Sequence, residues 1–180
     1  MTRIAIVVPL KSFAIGKGRL RGVASLDVDV LSRYLAAGVI TAAAPRDVFV
    51  VSHSSDVSVF ATALGATNLH CETPGLNAAV QFAFDSVRPL YDVVVIAHGD
   101  LRNPTGLGSF DPAPGVTVVQ DHRATGTTVL AVPTTSEFTF QYGDNSCQLH
   151  EIEAKRRGHV VRVVSDSPWR FDIDEPEDLQ

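Results

Sequence analysis

Cysteine is scarce in this 180-residue chain: Cys71 and Cys147 stand far apart, with no CxxC and no metal-type spacing. That pattern excludes a disulfide scaffold and a thiolate zinc site. Two lone thiols behave as small apolar residues in a reducing compartment, so a cytoplasmic location is expected. Long apolar runs are missing too. The most apolar stretch, "DVVVIA" from Asp92 to Ala97, is far short of the roughly 18 residues that a membrane span needs. The opening "MTRIAIVV" carries one arginine and no small-residue cleavage site, and reads as a strand rather than a signal peptide. Positive charge is in deficit, with 15 Lys and Arg against 20 Asp and Glu and a net charge of −5. This argues against sequence-independent nucleic-acid binding, which depends on clustered cations. Neither GxGxxG after a strand nor GxxxxGK[ST] occurs, so the common dinucleotide and P-loop fingerprints are absent.

What the sequence does contain is an ordinary globular balance, 45% hydrophobic and 19% charged, without repeats or a linker. We expect one domain over residues 1–180. Ile4–Val8 (IAIVV) is a continuous β-rich run, as in a strand covered on both faces. From Asp27 to Ala44, Val28, Leu31, Leu35, Val39 and Ile40 recur at helical spacing, with Asp27 as N-cap and Pro45 ending the run. Strands are expected at Val48–Val51, Leu69–Glu72 and Val93–Ile96. Helices are expected after Ser55 or Asp56, closed by Gly65, and at Leu76–Val87. Val116–Gln120, Thr127–Val132 and Val160–Val164 read as strands, with a helix over Asp144–Arg157 between the last two. The closing "FDIDEPEDLQ" reads as a short strand running into a helix start. This alternation predicts an α/β fold, a mainly parallel sheet flanked by helices.

In open sheets of this kind ligands bind beyond the carboxyl ends of the strands. The segment following the first strand, "VVPLKSFAIGKGRL", places Lys11, Lys17 and Arg19 among Ser12, Gly16 and Gly18 at that position. A glycine-bearing cationic loop suits phosphate; a solvated connection accounts for it equally well. Asp100 follows the most apolar strand in "VVVIAHGDL", and "FDIDEPEDL" sets Asp172 and Asp174 two apart, on one face of an extended segment. Three such carboxylates fit Mg²⁺, which takes one or two together with water and phosphate oxygens. Helix capping alone also explains Asp174, whereas Asp172, between Phe171 and Ile173, is expected to need a cation nearby. "ATGTTVL" supplies Thr127, and "YGDNSC" supplies Gly143 and Ser146 at a helix start suited to an anion; a β-turn and plain capping are the alternatives. "PGLNAAV" places Gly75 and Asn77 at another helix start. Of six histidines none is expected to catalyse; His98, two before Asp100, is expected to pack or to support.

Taken in order, these pieces resemble the 2-phospho-L-lactate guanylyltransferases, also described as phosphoenolpyruvate guanylyltransferases. "VPLKSFAIGKGRL" is similar to that family's V-P-x-K-x-x-x-x-x-K-x-R-L, and "FDIDEPEDL" to its D-x-D-x-P-x-D-L. "PGLNAAV", "VVVIAHGDL", "GTTVL" and "YGDNS" follow its intermediate elements in sequence. The resemblance implies a nucleotide-diphospho-sugar transferase-like fold (GT-A type) and a cytoplasmic enzyme of deazaflavin coenzyme biosynthesis. Its substrates would be GTP and a small phosphorylated three-carbon acid: 2-phospho-L-lactate, phosphoenolpyruvate or 3-phosphoglycerate. It further implies that Lys11, Lys17 and Arg19 face the triphosphate, and that Gly75 and Asn77 lie near guanosine. Asp100, Asp172 and Asp174 would hold Mg²⁺, and Thr127, Gly143 and Ser146 would receive the acceptor. Homodimers are common in related enzymes. The chain departs from the pattern at Arg102, where proline is usual, at Thr128, where the third residue of G-T-N is usual, and in "DHR", which sets Arg123 one place late. A related transferase with another nucleotide or acceptor, and a non-catalytic nucleotide-binding module, stay open as alternatives.

Overall fold

The computed structural model describes residues 2–14, 17, 20 and 27–179. Strand β1 (Ile4–Pro9) is apolar at every position, because both of its faces are covered. Ile4, Ile6 and Val8 enter one apolar cluster; Ala5 and Val7, pointing the other way, enter a second. Helices α1 (Val28–Ala42) and α2 (Ser55–Ala63) cover the first face through Ala36, Val39, Ile40, Val57 and Ala61. Helices α3 (Leu76–Val87) and α4 (Ser146–Arg156) cover the second through Val80, Ala83, Phe84, Val87 and Ala154.

Besides β1, the sheet contains β2 (Asp47–Ser52), β3 (Thr67–His70), β4 (Val93–Ala97), β5 (Val116–Gln120), β6 (Thr127–Pro133) and β7 (Val161–Val164). Their spatial order is β3-β2-β1-β4-β6-β5-β7. All pairings are parallel except those of β6, which runs antiparallel to both β4 and β5. This reversal positions the site. The carboxyl ends of β1, β2, β4 and β5 share one edge of the sheet, and β6 brings its beginning to that same edge. There the His98 N–H donates to the Thr128 carbonyl at 3.0 Å.

Most elements fall where the sequence pattern puts them, and α3 matches residue for residue. Asp27 caps α1 as expected, accepting from the N–H groups of Asp29 and Val30 at 3.1 Å each. Several strand ends move by one residue, and three differences have a visible cause. The third strand is Thr67–His70 rather than Leu69–Glu72, because pairing with Phe49–Ser52 fixes its register. The N-cap of α2 is Ser54; the Asp56 carboxylate instead accepts from the Ser54 hydroxyl and from the Phe13 N–H at 3.4 Å, tying the helix to the first loop. Helix α4 starts at Ser146, since Asn145 is left-handed at φ 58°. Cys71 and Cys147 are buried free thiols. Among the described residues no helix is long and apolar enough to cross a membrane.

Candidate active site

A cavity of about 550 Å³ opens at the carboxyl edge, lined among others by Lys11, Lys17, Gly75, His98, Asp100 and Asp174. The first loop and the late aspartates therefore meet in one place. Lys17, left-handed at φ 51°, sends its Nζ 2.7 Å from Asp100 Oδ2 and 3.3 Å from Asp174 Oδ1, and donates also to the Ile173 carbonyl. Its side chain is only 9% exposed. Burial pulls its pKa down, but the charges and hydrogen bonds of Asp100 and Asp174 outweigh burial and leave it above the ordinary lysine value. The ammonium is thus charged at neutral pH. Arg19, the third cation expected here, lies outside the described residues. Lys11 is exposed on the cavity wall.

Asp100 and Asp172 are brought together by main-chain pairing. Leu101 and Asp172 form an antiparallel bridge, flanked by Arg102 N–H to Phe171 C=O at 2.7 Å and Ile173 N–H to Asp100 C=O at 3.1 Å. Asp172 is 9% exposed and sits between two imidazoles, with His98 Nδ1 3.9 Å from Oδ2 and His122 Nδ1 3.9 Å from Oδ1. Both separations are too long for hydrogen bonds. His98, Asp100 and Asp172 each offer a ligand atom, all within 4.8 Å of one another. The buried Asp100 Oδ1, Asp172 Oδ1, His98 Nε2 and His122 Nδ1 have no hydrogen-bond partner among the described residues. Burial opposes charge on His98, yet its interaction with Asp172 and the negative field of Asp100, Asp172 and Asp174 raise its pKa.

The turn that follows is stabilised differently from the helix start expected there. Asp178 reaches back, its Oδ2 accepting from the N–H groups of Asp174 at 2.9 Å and Glu175 at 2.8 Å, over a 3₁₀ turn at Pro176–Leu179. Burial would raise the Asp178 pKa, but the two amides, Arg123 and His122 hold it below the ordinary carboxylate range. Asp174 is thereby left 46% exposed and turned toward Lys17.

On the far side, Thr127 and Ser146 are each 2% exposed. The Gln141 N–H donates to His150 Nε2 at 3.0 Å, so His150 Nδ1 carries the proton and donates to Thr127 Oγ1 at 3.0 Å. Ser146 Oγ lies 3.4 Å from the same oxygen. Gly143 takes φ 123°, and its carbonyl accepts from the Ser146 N–H at 3.2 Å. Gly75, at φ 107°, begins α3 on the cavity wall. Asn77 has both ends of its amide on the Tyr142 main chain: Nδ2 donates to the carbonyl at 3.0 Å, and Oδ1 accepts from the N–H at 2.6 Å. This clamps α3 to the loop before α4.

The sequence pattern assigned no role to His122 or the Ile173 carbonyl, and Asp178 stood there only as a letter of the closing motif. Their roles were not legible, because each acts on a residue brought close only by folding.

Comparison with known proteins bears on the family and the fold. The profile of the family described as "Guanylyl transferase CofC like" matches residues 4–180. A phosphoenolpyruvate guanylyltransferase of Roseiflexus castenholzii is 32% identical over 180 residues, covering 96% of this chain and 84% of that protein. A 3-phospho-D-glycerate guanylyltransferase of Phenylobacterium zucineum is 33% identical over 162 residues, covering 84% and 72%. Among solved structures, a nucleotide-diphospho-sugar transferase candidate from Desulfovibrio desulfuricans G20 superposes with a TM-score of 0.78 at 17% identity, covering 99% of this chain and 85% of that one.

Proposed function

The chain belongs to the CofC-like guanylyl transferase family and is a nucleotidyltransferase, and from that premise we propose that it transfers GMP from GTP to a small phosphorylated three-carbon acid. The observation that carries this reading is the position of Lys17. A cation from the loop after β1 and carboxylates from two distant segments share one cavity, as a site for a triphosphate and a divalent ion requires. The relatives' names divide between phosphoenolpyruvate and 3-phospho-D-glycerate; 2-phospho-L-lactate has the same chemistry.

In the reaction, a phosphate oxygen of the acceptor bonds to the α-phosphorus of GTP, and the bond from that phosphorus to the bridging oxygen breaks to release pyrophosphate. The attacking oxygen is anionic at neutral pH, so the chain need not supply a general base. Its work is to align two mutually repelling anions and to neutralise charge on the leaving oxygens. Lys11, Lys17 and Arg19 are assigned to the triphosphate, Gly75 and Asn77 to the guanosine side, and Thr127, Gly143 and Ser146 to the acceptor. Asn77 contributes by fixing the wall, since its amide is taken up by Tyr142. In the same way His150 orients the Thr127 hydroxyl.

Asp100, Asp172 and Asp174 are assigned to Mg²⁺, and the buried unpaired oxygens Asp100 Oδ1 and Asp172 Oδ1 fit such an ion. When bound, it supplies positive charge at the phosphate oxygens. Two buried free thiols suit a cytoplasmic enzyme, and the product would serve as an activated coenzyme precursor.

The test is pyrophosphate release with each of the four NTPs, Mg²⁺ and the three phospho-acids. Release with GTP and at least one of these acids is expected. Release with CTP or UTP but not GTP would overturn the reading.

A further inference from the structure

We propose that His98 is itself a metal ligand, completing with Asp100 and Asp172 a mixed imidazole–carboxylate site that takes Mn²⁺ and later first-row divalent ions ahead of Mg²⁺. The inference rests on the reading that a divalent ion binds at this edge of the sheet, and adds which atoms hold it and which ions they prefer.

Lys17 divides the acidic cluster. Its ammonium uses Asp100 Oδ2 and Asp174 Oδ1, together with the Ile173 carbonyl. Asp100 Oδ1, Asp172 Oδ1 and His98 Nε2 remain, all buried and none hydrogen-bonded among the described residues. Buried polar atoms are normally paired, and a carboxylate that is 9% exposed with an idle oxygen calls for a cation. Lys17 does not fill that place, because its contacts are with the other oxygen of Asp100 and with Asp174. The spacing suits an ion. One donor atom from each of His98, Asp100 and Asp172 lies within 4.8 Å of the other two, close to the ~4.2 Å that two donors about 2.1 Å from one ion can span.

The imidazole is also held for the role. The His98 main-chain N–H is bound to the Thr128 carbonyl at 3.0 Å, and its ring rests beside Tyr142 with centroids 5.4 Å apart. Beyond Asp172, His122 stacks on Phe171 at 5.5 Å and places Nε2 3.5 Å from Asp178, which leaves its Nδ1 3.9 Å from the Asp172 carboxylate. Supporting contacts of this kind fix the direction of ligand atoms. Magnesium favours all-oxygen surroundings; one imidazole nitrogen moves preference toward softer divalent ions.

The experiment uses Mn²⁺ alone as the probe on the full chain, read by electron spin-echo modulation and by competition with Mg²⁺. Nitrogen-14 modulation from a directly bound imidazole is expected in the wild-type protein and in His122→Gln. It should be lost in His98→Gln, where Mn²⁺ affinity falls by about tenfold or more and Mg²⁺ affinity falls less. Labelling histidine with nitrogen-15 in the wild type reads the same bond should a variant not fold. Bound Mn²⁺ without nitrogen modulation, or modulation that persists in His98→Gln, overturns this inference and leaves the divalent-ion site standing. Absence of Mn²⁺ and Mg²⁺ binding, with or without GTP, overturns both.

Discussion

Replacing Lys17 with methionine tests whether one ammonium holds the acidic edge together. Methionine keeps an unbranched apolar stem and removes the charge. In the wild type the ammonium faces Asp100 at 2.7 Å and Asp174 at 3.3 Å. Breaking a fully buried pair costs about 3–5 kcal/mol, whereas an exposed pair is worth about 0–1 kcal/mol. Here the lysine side chain is 9% exposed, but Asp100 is 21% and Asp174 46% exposed. The loss should fall between these limits, about 2 kcal/mol. With a urea dependence of about 2 kcal/mol per molar, that is a drop of about 1 M in the unfolding midpoint. The assay is urea unfolding in EDTA at pH 7, followed by titration with Mg²⁺. Since the folded pKa is raised, the stabilisation is complete at pH 7 and is lost only as pH climbs above the ordinary lysine value. Divalent ions should recover more stability in the variant than in the wild type, because they then neutralise carboxylates that Lys17 no longer serves. A variant that unfolds at the wild-type midpoint in EDTA would refute the reasoning.

Asp172→Asn should lower pyrophosphate release at least about a hundredfold, the scale of losing one charge-stabilising group. Its unfolding midpoint should hold or rise, because an unpaired buried carboxylate is gone; near-normal turnover would exclude the metal role. Burial and the His98 charge push the His150 pKa down to about 4. The unfolded chain is protonated below about pH 6.5, so about 3 kcal/mol of stability should disappear as pH falls from 6.5 to 4. His150→Gln should flatten that slope, and a wild-type stability constant over this range would contradict it. Glu153 is depressed to about 2 by Arg156 and Arg157, against the opposing effect of burial, with further help from the Thr139 N–H. Its contribution, about 2 kcal/mol after allowing for the exposure of Arg156, is present above about pH 4.3 and lost toward pH 2. Glu153→Gln should remove that second acid window in the same titration. Asn77→Ala should destabilise by about 2 kcal/mol in urea, since the Tyr142 N–H and C=O lose both partners; no change would mean that the clamp is dispensable.

The sequence by itself determined the layers. Short, β-branched apolar runs such as Ile4–Val8 and Val93–Ile96 read as strands buried on both faces, and the spacing within Leu76–Val87 suits a helix that buries one side. Motif order also sufficed to indicate the family, because the first and last segments carry charged residues where a packed strand would not. The tertiary structure alone decided how those charges divide their work. Thr67–His70 took its register from β2, and α2 and the closing turn took their hydrogen-bonding partners from Phe13 and Asp178. The reversal of β6 brought Thr127 and Thr128 to the edge where β4 ends. Pairing of 171–173 against 100–102 then set Asp172 between His98 and His122 and turned Asp174 to Lys17. Local propensity is encoded over a few neighbouring residues, whereas the direction and partner of a buried charge follow from strand order and register, which no short window of sequence contains.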